Sequence, residues 1–223
     1  MSDPKQVSLE TPRGSLSALL QGPTDADTLI VLAPGAGAGI THPFMESVAR
    51  GLSDKGLRVA RFNFVYLEQG KKSPDKQPIL EETYRAAIEG LASEKDGRRL
   101  FVGGKSMGGR IASHVVADGL EADGLVFLGY PLHPPGRPER IRDQHLHDIS
   151  VPMLFVEGTR DPFCPLQTLE KVRADLSAPT DLVVVDDGDH SFKVRKSSGR
   201  STEEALDEVV AKVADWVQES PRR

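Results

Sequence analysis

The sequence predicts an α/β protein: a mostly parallel central sheet with helices on both faces and no cap domain. Three observations predict it. Continuous apolar runs, such as Thr28-Leu29-Ile30-Val31-Leu32-Ala33 and Gly124-Leu125-Val126-Phe127-Leu128, suit strands covered on both faces. Segments of helical period alternate with these runs along the chain. Several runs lead directly into short glycine-rich turns, the positions at which such sheets carry their sites.

Whole-chain properties narrow the classes. The 223 residues suit a single domain, 1–223, large enough to bury a sizeable core. A net charge of −5 disfavours nucleic acid as a partner. Cys164 is the sole cysteine, so no intrachain disulfide can form, and the polar start Met1-Ser2-Asp3-Pro4-Lys5-Gln6 lacks the apolar core of a signal peptide. No apolar run approaches the roughly 20 residues of a membrane span. A cytoplasmic protein without membrane contact is expected.

In chain order, Val7-Ser8-Leu9 and Ser15 to Leu20 flank Pro12-Arg13-Gly14 and read as two antiparallel strands at the sheet edge. The strand 28–33 feeds into Pro34-Gly35-Ala36-Gly37-Ala38-Gly39. Small residues after a rigid proline let main chain approach a ligand closely, which suits an N–H donor to an oxyanion. Phosphate-loop spacings are not met there. A helix through Met45 to Leu52 and a strand Leu57 to Phe62 follow. Tyr66 to Gln77 reads as a polar surface loop with Lys71, Lys72 and Lys76 solvated, and Glu81 to Ala92 as a helix.

Arg99-Leu100-Phe101-Val102 is a strand, and Gly103-Gly104-Lys105-Ser106-Met107-Gly108-Gly109-Arg110 joins it to a helix through Ile111 to Ala117. Gly-x-Ser-x-Gly between strand and helix is the pattern of a nucleophile elbow: glycines remove the Cβ atoms that would collide around a strained serine. After strands 124–128 and 152–156, a last strand Leu182 to Val185 precedes Asp187-Gly188-Asp189-His190. Thr202 to Gln218 closes the chain as an amphipathic helix capped by Ser201 or Thr202. Between Leu128 and Pro152 the prolines 131, 134, 135 and 138 argue for a fixed loop and an open, shallow cleft.

A serine hydroxyl needs a neutral imidazole to take its proton and a carboxylate to orient that imidazole. Asp161 in Gly158-Thr159-Arg160-Asp161-Pro162 and His190 each follow a strand, in the order Ser, acid, His. Ser106, Asp161 and His190 are therefore the expected catalytic residues. Asp186, Asp187 and Asp189 compete, but their closeness to His190 along one loop makes the geometry less natural. His42, His114, His145 and His147 fit helix or loop surfaces, whereas His133 follows a strand beside the elbow and is expected to contact substrate. Cys164 could line the cleft near Asp161, or be a structural thiol. No H-E-x-x-H, paired cysteine or compact His-carboxylate cluster suggests a metal, and no cofactor is expected.

The motifs Ala33 to Ala38, Arg61-Phe62-Asn63-Phe64, Gly104 to Arg110, Gly129-Tyr130-Pro131-Leu132-His133-Pro134, Gly158 to Phe163 and Gly188 to Ser191 together resemble the α/β-hydrolases. The chain is similar to the dienelactone-hydrolase-like proteins and resembles most the testis-expressed-30 and NSL-complex-subunit hydrolase-like family. Dienelactone hydrolases proper carry Cys where this chain has Ser106, and Val65 stands where a Pro is expected. The resemblance implies that Ser106 is the nucleophile, Asp161 the acid and His190 the base. It further implies that Ala36 and Met107 are main-chain oxyanion donors, with Gly35 and Tyr130 near the substrate beside His133. The expected activity is hydrolysis of small carboxylic esters or thioesters. The alternative is a binding or scaffold protein on the same fold, since that family includes chromatin-complex members regarded as scaffolds.

Overall fold

The computed structural model describes residues 3–221. β1 (Lys5–Leu9) and β2 (Leu16–Gln21) form the expected antiparallel pair, with Val7 opposite Ala18 and a turn closed by Gly14 N–H donating to the Thr11 carbonyl at 3.1 Å. β3 (Thr28–Ala33) follows, then α1 (Pro43–Asp54), β4 (Arg58–Phe62), a helical turn α2 (Val65–Glu68), α3 (Gln77–Gly90) and the short α4 (Ala92–Lys95). β5 (Arg99–Lys105) leads into α5 (Met107–Ala117), followed by β6 (Gly124–Leu128) and β7 (Met153–Gly158). Then come α6 (Leu166–Asp175), β8 (Thr180–Val185) and α7 (Thr202–Glu219).

One eight-stranded sheet results, in the order β1-β2-β4-β3-β5-β6-β7-β8, antiparallel only where β2 joins its neighbours. Along β3 the side chains alternate between two cores. Leu29, Val31 and Ala33 pack with Tyr84 of α3, Ile111 of α5 and Leu169 of α6. Ile30 and Leu32 pack on the other face with Val48 of α1 and Val213 of α7. Both faces are thus covered, which is why the strands read as unbroken apolar runs. α1 and α7 approach so closely that a Cβ at Gly51 would lie 2.7 Å from Val210 Cγ1. α7 starts at a capping box, with Glu204 N–H donating to Ser201 Oγ and Ser201 N–H to Glu204 Oε2.

Several elements differ from the sequence reading. β5 runs on to Lys105, because Gly103 and Gly104 let neighbouring backbones close in: a Cβ would meet Val126 O at 2.0 Å and Ala33 O at 2.2 Å respectively. Tyr66 is not in a surface loop but fully buried at the start of a segment whose lysines are exposed. α6 has only Leu169 and Val172 buried, too thin a stripe to announce a helix. The segment between β6 and β7 holds a single 3₁₀ turn, Gln144–Asp148, and no cap. No helix among the described residues is long and apolar enough to cross a membrane.

Candidate active site

Parallel register brings the candidate residues together. Ala33 pairs with Gly104, so the loop after β3 and the turn after β5 leave the sheet side by side. Gly158 pairs with Val185, which does the same for the loops carrying Asp161 and His190. A Cβ at Gly158 would lie 2.2 Å from Gly188 O, so that crossing requires glycine. Main-chain bonds from Thr159 N–H to Val185 O and from Arg160 N–H to Gly188 O stitch the two loops together.

At the turn, Ser106 adopts φ 51° and ψ −114°, left-handed strain at the junction of β5 and α5. Its glycine neighbours are a steric necessity, since a Cβ at Gly108 would sit 2.2 Å from Ala33 O. Ser106 Oγ lies 2.8 Å from His190 Nε2, and His190 Nδ1 lies 2.6 Å from Asp161 Oδ2. A carboxylate only accepts, so Nδ1 carries the imidazole proton and Nε2 offers its lone pair to the serine hydroxyl. Asp161 is buried, and its Oδ1 accepts from Phe163 N–H at 2.8 Å. The Phe163 ring meets His190 edge-on at 4.8 Å and restrains the imidazole.

The competing aspartates have other work. Asp189 accepts from Ser191 and Lys193 N–H groups and shapes the histidine loop, while Asp187 is tied to Arg160 and Arg195. Asp186 is exposed.

The loop after β3 is held from below. Gly37 N–H donates to Tyr66 Oη at 3.0 Å, Ile40 N–H to Asn63 Oδ1 at 2.9 Å, and Arg61 Nη1 to Ile40 O. This explains the Arg61-Phe62-Asn63-Phe64 motif: its polar members anchor Ile40, at the far end of the loop that carries Gly35 and Ala36. Gly35 lies beside the serine turn, where a Cβ would make ordinary contact with Lys105 Cγ at 3.6 Å and Ser106 Cβ at 3.7 Å. Met107 opens α5, where an N–H has no carbonyl one turn back; Gly103 O in β5 accepts from Tyr84 Oη instead.

Beneath the serine lies a buried ionisable cluster. Lys105 is buried and its Nζ has no hydrogen-bond partner among the described residues; desolvation lowers its pKa to about 8 against the opposing pull of Glu157, Asp161 and Asp189. Glu157 is fully buried, and burial followed by the Asp161 charge raises its pKa well above the carboxylate range. Its Oε1 accepts from Tyr130 N–H at 2.5 Å. Cys164 is buried rather than cleft-lining, and burial keeps it a thiol.

Two cavities meet at Ser106. One of about 300 Å³ is lined by Gly35, His42, Phe44, Lys105 and His190. The other, about 220 Å³, is lined by Met107, Arg110, Pro131, Pro135 and Arg142, and Ala36, Ser106 and Phe163 border both. A larger depression of about 1000 Å³ around Asp96, Gly119 and Asp123 lies at the opposite, amino end of β5 and holds none of these groups. Among the described residues no group of three or more His, Cys, Asp or Glu side chains could hold a metal ion.

Two expected substrate contacts are corrected. Tyr130 is fully buried, its Oη donating to Arg142 O at 3.0 Å. His133 is buried behind Phe163, with Nδ1 donating to Pro134 O at 2.9 Å, and lines neither cavity. Of the histidines assigned to surfaces, His42 is exposed but caps α1 and lines the cleft, while His114 and His145 stack at 3.6 Å, partly buried. Phe163, Arg110 and Arg142 join the cleft without being among the residues the sequence marks for the site. Arg110 carried a usable signal, one helical turn beyond Ser106; Arg142 carried none.

A family model described as an alpha/beta hydrolase domain matches residues 26–218. Among solved structures, an alpha-beta serine hydrolase homologue from Coxiella burnetii superposes with a TM-score of 0.76 at 19% identity, covering 96% of this chain and 98% of that one. A dienelactone hydrolase from Anabaena variabilis gives 0.76 at 20% identity, covering 99% and 100%. A Xanthomonas campestris α/β serine hydrolase without a lid gives 0.70 at 20% identity, covering 96% of each chain. At these identities the likeness is one of fold.

Proposed function

The chain belongs to the alpha/beta hydrolase domain family, and on that premise we propose that it is a serine hydrolase of small carboxylic esters or thioesters. The observation that carries this reading is the unbroken relay Asp161–His190–Ser106, with links of 2.6 and 2.8 Å, ending on a serine held at φ 51°. A surface serine turn has no reason to store such strain or to align an imidazole and a buried carboxylate behind its hydroxyl. Structural neighbours named as serine hydrolases support the same assignment, as does the chain order Ser106, Asp161, His190, each after a strand.

Ser106 Oγ attacks the substrate carbonyl while its proton passes to His190 Nε2. Asp161, accepting from Nδ1, holds the tautomer and stabilises the imidazolium. The tetrahedral oxyanion is received by the Ala36 and Met107 N–H groups, each such donor being worth about 3 kcal/mol. His190 returns the proton to the departing alkoxide or thiolate, leaving an acyl group on Ser106. Water, deprotonated by His190, then attacks the acyl-enzyme and regenerates the serine.

A fluorophosphonate probe should label the wild-type protein and fail to label Ser106→Ala. Short p-nitrophenyl esters and acyl thioesters should be turned over only when Ser106 is present. Equal labelling of both proteins would end the assignment, and a binding protein on this fold would show no Ser106-dependent turnover.

A further inference from the structure

One half of the cleft carries two guanidiniums that have no ion-pair partner among the described residues. Arg110 from α5 and Arg142 from the segment after β6 line the 220 Å³ cavity with Ser106 and Met107. Together they also line an adjoining cavity of about 300 Å³ with Gln77, His114 and His145. Arg110 Nη1 donates to Gln77 Oε1 at 2.9 Å and to His114 Nε2 at 3.2 Å, while its Nε and Nη2 have no partner among the described residues. The Arg142 side chain has neither hydrogen bond nor ion pair among them. Arginines withdrawn from solvent elsewhere are spent differently: Arg58 on Glu94, Arg61 on Ile40 O and Gln21, Arg99 on Ser220 O.

The neighbourhood relieves this charge only in part: the Glu81 carboxylate accepts from Gln77 Nε2 at 2.8 Å and lies 3.9 Å from His114 Nδ1, and it forms no ion pair with either guanidinium. Asp143 lines the outer cavity but lies beyond ion-pair distance of both guanidiniums, and Glu81 acts on Arg110 only at longer range. Burial, then Arg110 and Arg142, lowers His114 to about 4, and burial, then His114 and Arg110, lowers His145 to about 3. Both imidazoles are therefore neutral at physiological pH, and the arginines are the cationic groups. The exposed Arg140 adds a third cation beside Arg142, so on a chain of net charge −5 these arginines form a local concentration of positive charge.

The position of His190 decides which part of a substrate would meet it. A leaving group must come within reach of His190 Nε2, and His190 lines the other cavity, not this one. The acyl group then falls on the side of Arg110 and Arg142. We propose that this half of the cleft is an acyl-carboxylate site, so that the substrate is an ester or thioester of a short dicarboxylic acid whose second carboxylate is free. Guanidinium forks match a carboxylate bidentately, and about 220 Å³ admits only a short chain. The inference rests on Ser106 being the nucleophile, which sets the two sides apart.

The test compares monoethyl glutarate with its neutral carboxamide analogue, ethyl 4-carbamoylbutanoate, and with 2-carboxyethyl valerate, which carries the carboxylate on the alcohol side. Monoethyl glutarate should exceed the carboxamide in kcat/KM by about tenfold or more, the scale of a hydrogen-bonded charge. The alcohol-side carboxylate should gain nothing. Arg142→Gln and Arg110→Gln should each drive the ratio toward one, Arg142→Lys should retain part of it, and added salt should shrink it. Calorimetric binding of monoethyl glutarate to Ser106→Ala, lost on adding Arg142→Gln, reads the site without turnover. Arg142-dependent binding with no hydrolysis of any ester would leave the anion site standing and remove the hydrolase reading. Ser106-dependent hydrolysis with a ratio at or below one, or a ratio unchanged in Arg142→Gln, would overturn the carboxylate site alone.

Discussion

Replacing Ser106 by glycine should leave a more stable protein than replacing it by alanine. Ser106 sits at φ 51°, ψ −114°, where a residue bearing a Cβ carries strain of about 1–3 kcal/mol. Alanine keeps that Cβ and glycine removes it. Both substitutions delete the hydroxyl and its 2.8 Å contact with His190 Nε2, so that loss cancels in the comparison. Opposing the relief, glycine adds about 0.5–1 kcal/mol of unfolded-chain entropy. The difference should favour Ser106→Gly by about 1 kcal/mol. For 223 residues, an unfolding entropy of about 2.1 cal/mol/K per residue turns that into about 2 °C of Tm. Urea titration of both variants, with thermal scans alongside, measures it. If Ser106→Ala proved the more stable by about 0.5–1 kcal/mol, as at an ordinary unstrained position, the turn would hold no strain.

Asp161→Asn should lower kcat about ten-thousand-fold, because an amide facing His190 Nδ1 favours the wrong tautomer; near wild-type turnover of a p-nitrophenyl ester would remove Asp161 from the relay. Lys105 should make stability climb with pH. Its folded pKa of about 8 lies below its unfolded 10.5, so between those values the unfolded chain holds the extra proton and unfolding is favoured at the lower end. About 3 kcal/mol of stability should therefore be gained from pH 8 to 10.5 relative to Lys105→Met; parallel stability curves for the two proteins would contradict it. Among neutral acyl esters, kcat/KM should stop rising after the first few carbons, each worth about 0.8 kcal/mol when buried. A steady rise from acetyl to palmitoyl, measured below the critical micelle concentrations, would reveal a deeper pocket than the shallow cavities beside Ser106.

Local rules were enough for much of this chain. Covered strands such as β3 and β6 announce themselves as nearly unbroken apolar runs, because side chains on both faces of such a strand are buried under helices. The serine turn is equally legible, since the steric demand at Gly104 and Gly108 can be met only by glycine. Chain order alone nominated Asp161 and His190, but four aspartates near two loops offered carboxylates. Only the packing of those loops showed that Asp189 is occupied by Ser191 and Lys193 N–H groups while Asp161 faces the imidazole. Tyr130 and His133 share a motif with Pro131, which reaches the cleft, yet they are buried, a matter of side-chain direction that no motif encodes. Nothing near Lys105 in the sequence announces its burial, which comes from Gly129 after β6 and the histidine loop closing over it. Arg142 meets Arg110 across 32 positions of sequence through a segment with no periodicity, so their convergence beside Ser106 belongs to the tertiary structure alone. Strands and tight turns follow from near neighbours in the chain; burial, charge balance and the composition of a cleft depend on what folding brings together from afar.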